Sequence, residues 1–370
     1  MSYITAIGTA TPSHRFSQER IAGFMTKAMQ LKKDDERKLK TIFNASGIEF
    51  RHSVLEDYGK SKDFEFYADN DDFEPFPTTE KRLRFFRKNA LTLSLESMKD
   101  LASSYPSFKL SDVTHLIVVC CTGMYAPGLD IDLVNALRLP TTVQRTAINF
   151  MGCHAAFNGL KIADAFCTSD RRAKVLIVCT ELCSLHFQRA ATEDNLIANA
   201  LFADGSATLL IESESDSPLK LELEDFHSDL AVEGTSDMAW TIGDMGFEMK
   251  LSMYVPDLIK KGIGKLTRSL LQKISVDFAD VHHFAIHPGG RRILEAIEDE
   301  LQISKEKNDA AYRVLKNYGN MSSPTVLFVL KELIKKLNGS NRGERVLSFA
   351  FGPGLTLESM VLKIISTTNA

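Results

Sequence analysis

The constraint that bears hardest on this chain is a repetition inside it. Asp112–Val119 (DVTHLIVV) is answered 168 residues later by Asp280–His287 (DVHHFAIH), and Ala173–Val178 (AKVLIV) after 171 residues by Glu344–Phe349 (ERVLSF). Between them, Asn149–Cys153 (NFMGC) returns after 167 residues as Lys316–Asn320 (KNYGN). Each likeness is faint. Three near-equal separations in the same order, however, describe one strand–helix unit used twice. Two fused units also suit 370 residues, a length at which single cores stop growing. The expected halves are 1–213 and 214–370.

The repeated runs are apolar almost throughout. His115–Cys121 and Lys174–Cys179 show no alternation, the mark of strands buried on both faces of a parallel sheet. The expected fold class is therefore α/β. Further strands are expected at Ile4–Ile7, Ala207–Glu212, Lys220–Phe226, His282–His287 and Arg345–Phe351. Helices are expected from Ser17, from a Thr79 cap to about residue 103, near Asp257–Lys273, from Gly290 to Leu301 and near Ser323–Leu337. Residues 57–77 mix acidic side chains with Phe64, Phe66, Phe73 and Phe76. They read as a long surface loop whose aromatics seek burial.

Composition works by exclusion. A net charge of −4 without a basic, aromatic-interleaved stripe argues against nucleic acid. Six cysteines with no CxxC pair give no metal-site spacing and suit reduced thiols. Neither a signal peptide nor an apolar run of membrane-spanning length is present in the sequence, so a cytoplasmic protein is expected.

Cys153 lies between Gly152 and the helix-compatible run from Ala155. At a helix N-terminus the backbone N–H groups and the dipole favour thiolate, the nucleophilic form. A buried structural cysteine is the competing reading. The repeat weighs towards chemistry, because Asn320 takes the position equivalent to Cys153, each just after a Gly opening a helix, and His287 ends the strand equivalent to the one ending near Val119. Strand C-termini and helix N-termini face the ligand crevice in α/β sheets. A thiol, an imidazole and an amide thus converge.

Gly152-Cys153, His287-Pro-Gly-Gly290, Gly319-Asn-Met-Ser-Ser323 and Gly352-Pro-Gly354, in this order across the chain, resemble the type III polyketide synthases, the chalcone and stilbene synthase family. The resemblance implies a thiolase-like five-layered αβαβα fold of two duplicated halves, with Cys153, His287 and Asn320 as the catalytic set. It implies a homodimer that takes acyl-CoA and malonyl-CoA and needs no cofactor. Phe202 matches one gatekeeper, and Met249 stands where the second gatekeeper is Phe. Trp240, His186, Cys121, Thr122 and Ser322 fall at cavity positions, with ordinary core packing still open for Trp240. Ala126 stands where plant members have a Met that reaches the neighbouring subunit. Arg37, Lys38 and Lys40 fall roughly at the CoA-contacting cations, with a solvated helix face the equal competitor.

The implied reaction is iterative decarboxylative condensation on a Cys153 thioester, followed by cyclisation. Protonated His287 is expected to pair with a Cys153 thiolate that labels with iodoacetamide near neutral pH. A long acyl starter giving alkylpyrones or alkylresorcinols stands first, and malonyl-only chemistry second. The rival enzyme is a single-extension condensing enzyme like β-ketoacyl synthase III. The rival from another class is a non-catalytic acyl-CoA-binding protein.

Overall fold

The computed structural model describes residues 1–367. Nine strands form one mixed sheet, in the order Val281–Ile286, Arg345–Gly352, Thr356–Ser366, Leu219–Leu230, Tyr3–Ala10, Asp204–Glu212, Lys174–Leu182, His115–Cys120 and Gln144–Asn149. Its two halves join where Tyr3–Ala10 meets Leu219–Leu230, through two residue pairs only.

The repeat is visible in the elements. His115–Cys120 beside Lys174–Leu182 in the first half and Val281–Ile286 beside Arg345–Gly352 in the second are both parallel pairs. Even the short 3-10 turns before them, Leu110–Asp112 and Phe278–Asp280, keep the separation of the repeat. Gly152 and Gly319 are equivalent too, with φ of +77° and +71°.

Helices fill three layers around the two half-sheets. Helix Thr79–Ser104 covers the first half from outside, and Val255–Lys273 covers the second. Ala155–Ser169 and Thr325–Ile334 lie between, each touching strands of both halves. This is the five-layered αβαβα arrangement. Packing is close enough at Gly8 that a Cβ there would stand 2.0 Å from Ser97 O in the covering helix.

Several local expectations hold. Ser17 Oγ caps its helix by accepting from Arg20 N at 3.2 Å. In the acidic loop, Phe66, Phe73 and Phe76 are buried, and the Asp57 carboxylate ties it down by accepting from the backbone N–H groups of Glu65, Phe66 and Tyr67. Two expectations need correction. Thr78, not Thr79, caps the long helix, accepting from Lys81 N; the Thr79 hydroxyl is drawn instead to Gly243 O. Asn320 does not open a helix, because the next one begins at Thr325.

Candidate active site

Cys153 stands in a short 3-10 turn, Gly152–His154, that runs directly into helix Ala155–Ser169. Only glycine fits before it, since φ is positive and a Cβ would lie 2.4 Å from Pro353 Cδ. Asn320 arrives from the other half on a one-residue bridge: its N–H donates to Leu201 O, and its carbonyl accepts from Ala203 N, both at 2.9 Å. The Cys153 Sγ lies 3.9 Å from Asn320 Oδ1. That oxygen also accepts from Ser322 N at 2.8 Å, which turns Nδ2 the other way to donate to Gly289 O at 3.2 Å. Gly289 packs against the His287 ring, and a Cβ there would be 3.8 Å from Nε2. Asn320 thus touches Cys153 on one side and, on the other, the Gly289 turn that carries His287, and all three side chains are buried.

Burial decides their protonation. It pushes the Cys153 thiol up to about 12; hydrogen bonding with the Ser322 and Asn320 side chains opposes this, and the charge of Glu181 reinforces it. Burial also pushes the His287 imidazole down to about 3, with His154 acting in the same direction. Burial thus opposes the expected thiolate–imidazolium pair and favours the thiol and the neutral imidazole.

The other expected positions divide. Phe202, Met249, Trp240 and His186 line one narrow cavity, with room for only about 30 Å³ of water-sized space. Trp240 Nε1 donates to Cys121 O at 2.9 Å, while the Cys121 sulfur accepts from Gly152 N at 3.1 Å, so Cys121 couples the nucleophile turn to the indole. His186 donates from Nε2 to Thr122 O at 2.7 Å, accepts from Phe247 N at 2.9 Å and stacks on the Phe247 ring. Burial holds it near 3, hence neutral. Ser322 sits beside the nucleophile with φ +58°. Arg37, Lys38 and Lys40 are exposed on helix Lys33–Ala45 and pair locally with Asp34, Asp35 and Glu36. They are not among the cavity-lining residues.

Three participants escape sequence reasoning. Glu181 is fully buried and accepts from Cys121 N at 2.9 Å, Thr122 Oγ1 at 2.7 Å and Ser323 Oγ at 2.7 Å. Burial outweighs these donors and raises its carboxyl to about 7. The one hint in the sequence is an acid ending an apolar strand run, VLIVCTEL. His154, next to the nucleophile, is buried against Gly352. Arg51, from the short strand Phe50–Ser53, also lines the cavity and donates to Phe202 O at 2.7 Å.

Among the described residues, no group of three or more His, Cys, Asp or Glu could hold a metal. Residues 1–215 match the model for the N-terminal domain of chalcone and stilbene synthases, and residues 224–366 match that for the C-terminal domain. The chain belongs to the chalcone and stilbene synthases. It is 31% identical to a putative chalcone synthase of Bacillus subtilis, over 98% of each chain. It is 28% identical to the alpha-pyrone synthesis polyketide synthase-like Pks18 of Mycobacterium tuberculosis, over 99% of this chain and 92% of that one. Among solved structures it is similar to a polyketide synthase from the brown alga Ectocarpus siliculosus, with TM-score 0.91, 30% identity and 98% of each chain covered. It is also similar to the C-terminal type III polyketide synthase domain of Steely1, a type I/III hybrid from Dictyostelium, with TM-score 0.89, 29% identity and coverage of 98% and 99%. The chain is accordingly a type III polyketide synthase with a thiolase-like fold, an acyltransferase of a family that works on CoA thioesters without a resident cofactor. No helix among the described residues is long and apolar enough to cross a membrane.

Proposed function

We propose that Cys153 carries the acyl chain, that His287 moves its proton, and that His287 and Asn320 stabilise the enolate formed from malonyl-CoA. The observation that supports this reading is Asn320 in contact with Cys153 on one side and with the Gly289 turn carrying His287 on the other, each buried. With His287 neutral, its ring takes the Cys153 proton as the sulfur attacks the starter thioester, and returns it to the departing CoA. Malonyl-CoA then loses CO2. The developing enolate oxygen meets His287 N–H and the Asn320 amide N–H left free by Gly289, each worth about 3 kcal/mol. The enolate carbon attacks the Cys153 thioester and releases the sulfur, and the lengthened chain returns for the next round.

The cavity bears on the product. Trp240 is held by Cys121 and stands edge-on to His186 and Phe247, so the space beside the gatekeeper positions is narrow. That favours short starters or malonyl alone, released as a pyrone, resorcinol or phloroglucinol, over the long acyl chain that stood first. The assembly we favour is a homodimer of chains with halves 1–213 and 214–370. Gln144–Asn149 is an edge strand of the sheet, and Met151, next to the nucleophile turn in the chain, and Met124 are exposed. Six free, buried cysteines fit a cytoplasmic setting. The test is incubation with malonyl-CoA and acyl-CoAs of graded length, read by product mass. Products carrying two or more extensions support the reading, and a single extension throughout would favour the β-ketoacyl synthase III-like alternative.

A further inference from the structure

Strands Met238–Gly243 and Gly246–Leu251 form a hairpin that, among the described residues, pairs only with itself and stands apart from the nine-stranded sheet. Trp240 and Met249 face each other across it, so whatever holds the tip also places these two cavity positions. The hairpin reaches the nucleophile turn as well. Phe247 packs edge-on against Phe150 with ring centroids 5.3 Å apart, and Trp240 Nε1 donates to the carbonyl of Cys121, whose sulfur accepts from Gly152 N. The tip is fastened by the first residue of helix Thr79–Ser104. Thr79 N–H donates to Asp244 O at 2.8 Å, and the half-buried Thr79 hydroxyl donates to Gly243 O and accepts from Gly246 N at 2.8 Å. One hydroxyl thus serves both members of the pair that closes the hairpin. Its own helix does not use it, since Thr78 supplies the cap. The seat beside it is firm: buried Arg82 donates to the carbonyls of Pro77, Leu185 and Phe187, and a Cβ on Gly246 would stand 2.8 Å from its Cδ. A second tether, Gln188 Nε2 to Met245 O and Phe247 O, is longer at 3.2 and 3.1 Å.

We propose that Thr79 is a positioning residue that sets chain length: its hydroxyl latches the hairpin tip, and a growing acyl chain makes room by displacing the Trp240–Met249 wall against that latch. This rests on the reading of Cys153 as the acyl carrier. The space behind the wall has room for a few water molecules and not for an acyl chain. The wall can give, because the hairpin has no neighbouring strand and turns Ile242 and Met245 outward, both exposed. Thr79 touches neither the cavity lining nor the reacting groups, so it acts through the hairpin alone.

Trp240 is the chain's single tryptophan, so its fluorescence reports the hairpin directly. The test compares the whole protein with Thr79→Val, which keeps the shape without the hydroxyl, and Thr79→Ser, which keeps the hydroxyl. Each is read by acrylamide quenching of Trp240 and by product mass from butanoyl-CoA with malonyl-CoA. Loss of the latch predicts stronger quenching in Thr79→Val and roughly a 10-fold rise in the ratio of longer to shorter products. Butanoyl-CoA still acylates Cys153 in that variant, by intact mass, and Thr79→Ser restores both readouts. Unchanged quenching or unchanged product masses in Thr79→Val overturns the role of Thr79 and leaves Cys153 as the acyl carrier. Equal effects in Thr79→Ser and Thr79→Val overturn it too. Failure of butanoyl-CoA to acylate Cys153 in the unmodified protein overturns both readings. Should Thr79→Val not fold, the unmodified protein decides: Trp240 must be quenched more strongly during turnover than at rest, and equal quenching overturns the displaced wall.

Discussion

A thiol that has to become a nucleophile is kept here in surroundings that oppose charge. The Cys153 pKa of about 12 makes the resting sulfur a poor target for iodoacetamide. Labelling of Cys153 near pH 7 should therefore be slower than for an exposed thiol, and should still be rising beyond pH 9. Fast labelling at pH 7 that saturates below pH 8 would contradict the neutral resting pair. Loading of acyl-CoA behaves differently, because His287 stays a base down to about pH 3. Its rate should lack an acidic limb near pH 6.5, as long as the protein is folded. At the same scale, Asn320→Ala removes one enolate donor and should lower condensation about 100- to 1,000-fold in steady-state assays, with Cys153 acylation in single turnover largely retained. Trp240→Ala should shift the product masses towards longer chains.

At the scale of elements, the repeat made the central strands legible because both copies are buried on both faces and read as apolar runs. What escaped carries charge inside. Thr356–Ser366 was not anticipated, since Glu358 and Ser359 interrupt its apolar run; Glu358 is nonetheless buried against Lys161. Helices Leu129–Leu137, Glu193–Leu201 and Asp309–Tyr318 were missed because they are short, and each turns only a few residues inward. The motifs name the side chains of the candidate site. They did not foretell its electrostatics, which depends on how completely the interleaved helices exclude water. Close interlayer packing gives a direct check. Gly8→Ala places a Cβ on the backbone of helix Thr79–Ser104 and should cost at least about 3 kcal/mol of unfolding free energy in urea titrations.

Over the whole molecule, buried titratable groups set the response to acid. Folding holds His154 near 4 and His186 and His287 near 3, below the ordinary 6.5, so their contribution is present above that value and is lost as pH falls towards the folded values. Glu181 near 7 and Asp204 near 6 are raised, so theirs is present at low pH and lost as pH rises through those values. His52 and His115 are lowered by burial as well, so between about pH 4.5 and 6 five histidines oppose two carboxyls and the unfolded chain binds more protons than the folded one. Stability should fall on acidification there, and Glu181→Gln should steepen the slope.

If one sulfur carries every intermediate, the intact mass of the protein quenched during turnover of malonyl-CoA with a short acyl-CoA should show it. A ladder of starter and extended chains mapped to Cys153 is expected, with neither adduct nor product from Cys153→Ala. Full-length product from Cys153→Ala would rule that sulfur out as the carrier.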